Sequence, residues 1–221
     1  MIGSTAVLHL SNDSRHDSEN ILGLANSPFY LYLRADLQEL LMDVTGLAWQ
    51  LNDIKAGNQQ RLHHYEFHDT IILLGYRLVS ISPLDGFHST SRLANAVHLG
   101  LAAFLMTFLR RLDHRIQDMP LLSKLARAAA QEQFDNGNNT QEMLLWILFI
   151  GDASLFDGSD DIWLIPIVTR TMHALDLYTW EDVQRALAKW PWVNTLHDKT
   201  GEALWHRSTF SFASPAGATS N

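Results

Sequence analysis

No cysteine occurs in the 221 residues. A disulfide framework, a thiolate zinc cluster and a cysteine nucleophile are thereby excluded from this chain, and a reducing compartment fits it. Basic charge is also scarce, with 16 Lys and Arg against 24 Asp and Glu, a formal net charge of -8 and a pI near 5.7. Such a field repels phosphate backbones, so no direct nucleic-acid partner is expected. The densest basic group is Arg110, Arg111, His114 and Arg115, which reads as the cationic end of a helix. Long hydrophobic runs are missing too. Leu99 to Leu109 contains Thr107 and stops at two arginines, short of the roughly 20 residues that a membrane span needs. Met1 to Leu10 holds the apolar Ala6-Val7-Leu8 but is broken by His9 and lacks a basic flank, so it does not read as a secretory signal. A soluble protein with no membrane partner is expected. There is no Gly-x-Ser-x-Gly elbow, no glycine-rich phosphate loop and no alternating strand pattern.

What is present is apolar residue at helical spacing, 47% of the chain by composition, enough for one core. Residues 1 to 30 are rich in Ser, Asn and Asp without a period and read as a poorly ordered lead-in. Leu37, Leu40, Leu41, Val44, Leu47, Ala48 and Leu51 line one face of a first helix that ends at Lys55-Ala56-Gly57. A second helix, His64 to Ser80, carries Phe67, Ile71, Leu74, Leu78 and Ile81 before a turn at Pro83-Leu84-Asp85-Gly86. Its Thr70-Ile71-Ile72-Leu73-Leu74 run has a strand alternative, but no similar segment nearby offers it a partner. A third, from Ser89-Thr90-Ser91 to Leu112, is apolar over more than half its circumference and is expected to lie centrally. Pro120 opens a fourth, with Leu121, Leu125 and Ala128 as its inner face. Asn139 or Thr140 is the expected cap of a fifth, Gln141 to Leu155. A sixth spans Asp161 to Asp176. Thr179 and Asp182 form a capping box for the seventh, which runs to Leu187 and stops at Trp190-Pro191-Trp192. The fold class that follows is all-α, a single-core bundle of about seven helices over residues 31 to 208, with 209 to 221 as a flexible tail.

Four groups of residues invite a chemical reading. His64 and His68 are four apart, with His63 adjacent, and share a helical face that could hold a metal. A zincin needs Glu directly after the first histidine, and Tyr65 stands there while Glu66 follows. Asn52-Asp53 and Asp160-Asp161 resemble the acidic pairs of terpene synthases, but Ala56 and Gln60 stand where that motif continues with a hydroxyl and an acid. Asp160 and Asp161 therefore read as complements to a helix N-terminus. His197-Asp198 with His206 resembles an acid and base set, against which Asp198 or Thr200 reads as the cap of a short last helix that sets Leu204 and Trp205 on Trp192. None of these patterns assigns a catalytic, cofactor-binding or metal-ligating residue, and an enzyme is not expected.

The order Leu144-Leu145-Trp146-Ile147-Leu148-Phe149-Ile150-Gly151, Trp163, Leu175-Asp176-Leu177, Trp180-Glu181-Asp182-Val183, Leu187, Trp190-Pro191-Trp192, His197-Asp198 and Leu204-Trp205 resembles the C-terminal part of fungal-specific transcription factor domains. With the helix from Ser91 to Leu112 the likeness covers roughly residues 36 to 207. In that family an all-helical regulatory domain follows a DNA-binding module built on a six-cysteine zinc cluster. Lacking cysteine, this chain holds no such cluster, and direct DNA binding is not expected of it. The resemblance implies a regulatory domain, free-standing or cut from a longer product, that binds a protein partner, itself or a small ligand, in the nucleus or otherwise the cytoplasm. It predicts a filled core and an apolar patch outside. The matched positions are core and anchor residues and carry no site with them.

Overall fold

The computed structural model describes residues 24, 28–57, 63–82, 91–112, 119–132, 134 and 137–210. Among these there are nine α-helices, one 3-10 turn and no strand. They are α1 (Pro28–Leu31), α2 (Ala35–Ala56), α3 (His64–Ile81), α4 (Arg92–Leu112), α5 (Pro120–Ala130), α6 (Asn138–Ser154), α7 (Asp161–Ala174), α8 (Trp180–Leu187) and α9 (Asn194–Phe210). One continuous cluster of buried side chains runs from Leu24 to Leu204, so the architecture is an all-α bundle with a single core.

α4 and α6 lie side by side at its centre, because both are apolar around most of their circumference. In α4 every residue from Ala96 to Phe108 is buried, and in α6 every residue from Met143 to Gly151. Gly100 lets the two approach closely: a Cβ there would sit 2.5 Å from the Trp146 ring. α2 and α3 flank α4, α5 spans α4 and α6, and α7, α8 and α9 cover the far side of α6. The segment Arg92–Arg110 of α4 is long and apolar enough by length and composition to cross a membrane, yet 78% of it is buried inside the bundle. Its apolar surface is already taken up by neighbouring helices.

Local signals explain most boundaries. Gly57 ends α2 at φ 83, a left-handed conformation that glycine adopts without strain. The Ser91 hydroxyl accepts from the Ala94 amide at 3.3 Å and caps α4. Thr179 and Asp182 form the expected capping box on α8.

Other boundaries differ from expectation. On α5 the buried face is Leu122, Ala126, Ala129 and Ala130, while Leu121 is 58% exposed and Ala128 is exposed as well. The innermost row is rotated by one residue, to Leu122 and the alanines that follow it, while the expected Leu125 is half-buried against the same core. α6 begins at Asn138 after Gly137, with no side-chain cap from Asn139 or Thr140. α7 stops at Ala174 and carries Pro166 inside it. The last helix is not short: α9 has 17 residues and starts before His197, so neither Asp198 nor Thr200 caps it. At the other end Leu24 and Phe29 sit in the core, Phe29 edge-on to Trp190 at 5.5 Å. Part of the expected lead-in is thus packed. Residues 1–23, the Pro83 turn and 211–221 lie outside the described residues.

Candidate functional site

The tryptophan corner brings several polar groups into the interior, and apart from the buried Trp190 indole N–H they pair with one another. The Trp146 indole N–H donates to the Pro191 carbonyl at 3.0 Å, and its ring stacks on Trp190 at 5.4 Å. Asn52, on α2, donates to the Trp192 carbonyl at 2.9 Å and accepts from the Asn194 amide at 2.9 Å, which caps α9 from another helix. His197 is buried; its Nδ1 accepts from the Val193 amide at 2.9 Å, so Nε2 carries the proton toward the Thr107 hydroxyl at 3.3 Å. Thr107 in turn donates to the Phe104 carbonyl. Asp198 accepts from the Trp192 indole at 2.8 Å and from Gln184 at 2.9 Å. Burial pushes its carboxyl above the ordinary value, those two hydrogen bonds oppose the rise and Glu202 adds to it. His206 lies apart on the surface, 4.0 Å from Glu202. The structure therefore joins His197, Asp198 and Asn52 through Trp192, as a brace for the corner, and leaves His206 outside it.

A cleft of about 180 Å³ opens beside His197, lined by Thr107, Arg110, Ala153 and Leu196. Arg110 donates to the Ser154 carbonyl at 2.6 Å, where α6 ends, the role of a cation at a helix C-terminus. The side chain of Arg111, and all of His114 and Arg115, lie outside the described residues.

The acidic pair is likewise engaged by its own surroundings. Asp160 accepts from the Trp163 indole at 2.7 Å and from the Asp157 amide at 3.1 Å, with Arg127 at 3.5 Å and also over the Trp163 ring. Asp161 stands 3.5 Å from Arg207, which also holds Asp152 at 2.5 Å. Burial raises the Asp152 carboxyl despite that guanidinium. Among the described residues no group of three or more His, Asp or Glu is placed to hold a metal ion. His63 stacks on Tyr65 at 5.5 Å and His68 faces Asp69 at 3.8 Å, both at the surface, while the His64 side chain lies outside the described residues.

The feature that sequence reasoning missed is on the outside of α3. Its inner face is the expected Phe67, Ile71, Leu74 and Leu78, but a second apolar row faces away from the bundle. Tyr65 is 74% exposed, Ile72 38%, Leu73 59%, Tyr76 72% and Val79 53%. The steps of 7, 4 and 3 residues from Tyr65 through Ile72 and Tyr76 to Val79 are helical, so these side chains form one stripe. Large apolar residues exposed singly are ordinary, whereas a contiguous row marks a contact surface. The signal was in the sequence: α3 carries aromatic and aliphatic residues on two faces, and one helix of a two-layer packing needs only one. No protein-family model, curated protein or solved structure matches the chain.

Proposed function

We propose that this chain is a regulatory domain of the fungal transcription factor kind that acts through protein contacts at the outer face of α3 and does not itself bind DNA. The observation that carries this reading is the stripe of Tyr65, Ile72, Leu73, Tyr76 and Val79, set on a bundle with one continuous buried core. The arrangement of charge agrees with it. The net charge is -8, and Arg77, Arg127, Lys189 and Arg207 are each paired with a carboxylate, which disfavours a phosphate backbone as partner. The cleft beside His197 does not favour a small ligand. At about 180 Å³, it is well below the roughly 300–1,000 Å³ of drug-sized ligand sites.

The test is to fuse the chain to an unrelated DNA-binding module upstream of a reporter gene. Reporter output should change several-fold relative to the module alone. The double substitution Leu73→Asp, Tyr76→Asp should return it to baseline while circular dichroism shows the helical fold retained. Output indifferent to the fusion, or to the double substitution, would overturn the proposal.

A further inference from the structure

We propose that the occupant of the α3 stripe is a second copy of this chain, packed antiparallel across a twofold axis that passes close to Ile72. This rests on the reading of α3 as a contact surface and names its partner.

Three observations select a second copy. The first is size. Scaled from about 150–250 Å² for an aromatic side chain, the five stripe residues present on the order of 500–600 Å². That is the upper end of what a monomer exposes in one patch, and a standard interface takes about 800 Å² per partner, within reach once the polar shoulders of α3 are added. The second is self-complementary charge, which a twofold contact requires of a single surface. Glu66, Thr70, Leu73 and Arg77 are spaced 4, 3 and 4 residues apart and form one line along the shoulder of the stripe, with the acid at one end and the base at the other. Glu66 and Arg77 stand three turns apart, about 16 Å along the helix. In an antiparallel pair like shoulders face each other, so Glu66 of each copy meets Arg77 of the other. A parallel pair keeps these ends apart. Arg77 already holds Asp43 at 2.5 Å, but a guanidinium has five N–H donors and can serve both acids.

The third is register. With Ile72 on the axis, Tyr65 of one copy lies opposite Val79 of the other, so the bulky end of the row meets the slender end. The one charge within the stripe, Asp69, then lies opposite Gly75, where no side chain crowds it, and next to a Tyr76 hydroxyl that can donate to it. Burying a carboxylate without such a donor is costly, which penalises other registers. A lipid surface is disfavoured, since interfacial helices carry Lys and Arg around their apolar face and the exposed positions of α3 include Glu66 and Asp69.

The experiment uses the full chain in three arms. In sedimentation velocity across a concentration series, the mass should rise from 25.0 kDa toward twice that value. Tyr76→Glu should weaken association at least tenfold while circular dichroism, and the thermal midpoint at concentrations where both proteins are monomeric, stay unchanged. Glu66→Lys and Arg77→Glu should each be monomeric alone, and mixing the two should restore a heterodimer, because each then offers the other two opposite-sign pairs. The third arm exploits the absence of cysteine. Helices 8–10 Å apart bring facing Cα atoms within roughly 4–5 Å, inside disulfide reach. Ile72→Cys should therefore oxidise to a covalent dimer, whereas Ile162→Cys, at an exposed position on α7, should not. A chain that stays monomeric throughout, or charge variants that mixing does not rescue, would overturn the proposal. A monomer whose reporter output still depends on Leu73 and Tyr76 would sink the twofold contact alone. A dimer without reporter effect would sink the regulatory reading alone.

Discussion

At the scale of single residues, the interior is decided by groups that have little freedom to change. His98 is buried in α4, and its Nε2 donates to the Leu78 carbonyl of α3 at 2.9 Å. Burial holds its pKa below the ordinary histidine value of 6.5, more strongly than that hydrogen bond raises it. Because the folded value is the lower one, the unfolded chain binds the extra proton first. Stability from His98 is complete above about pH 6.5 and is lost as pH falls toward the depressed folded value, by at most about 1.4 kcal/mol per pH unit. Urea unfolding at a series of pH values should show this decline in the native chain. In His98→Gln, whose amide keeps a donor for Leu78 but cannot titrate, the slope between pH 6.5 and 5 should be reduced. An unchanged slope would mean that other groups govern it.

At the scale of elements, the helices that end on their own sequence signals were legible, and those that end on tertiary contacts were not. The capping box Thr179 and Asp182 and the glycine at 57 act within a few residues of themselves, so spacing alone located them. The start of α9 is different, since its cap is Asn52, 142 positions earlier in the chain. No local pattern can announce a partner that arrives by folding. Asn52→Ala removes the acceptor for the Asn194 amide and the donor to the Trp192 carbonyl together, and should destabilise by about 1–2 kcal/mol in urea unfolding. A change near zero would show that water replaces both bonds. The rotation of α5 teaches the same lesson: periodicity showed that Leu121, Leu125 and Ala128 share a face, but of these only Leu125 packs against the core, and the neighbours buried the row beside it.

At the scale of the whole molecule, one hydrophobic cluster ties Leu24 near the start to Leu204 near the end, and the Trp190 ring touches both Phe29 and Trp146. Such a core should unfold as a unit. Six of the seven tryptophans lie between 146 and 205, so their fluorescence reports the C-terminal half while far-ultraviolet circular dichroism reports all the helices. The two denaturation curves should superimpose. Separate midpoints would divide the bundle into two units.

The sequence by itself determined that this protein is all-α and forms one core, because apolar residues at a 3.6-residue period must be buried and several such rows can only bury one another. It also determined that no thiol chemistry takes place in the chain, since the atoms are absent. Tertiary structure alone decided that His197, Asp198 and Asn52 brace a tryptophan corner and that Asp160 and Asp161 are held by Trp163, Arg127 and Arg207. It alone decided which apolar face of α3 stays outside. A helical period records which side chains point the same way, whereas exposure depends on where α2 and α4 come to lie, and that is settled by packing between distant parts of the chain.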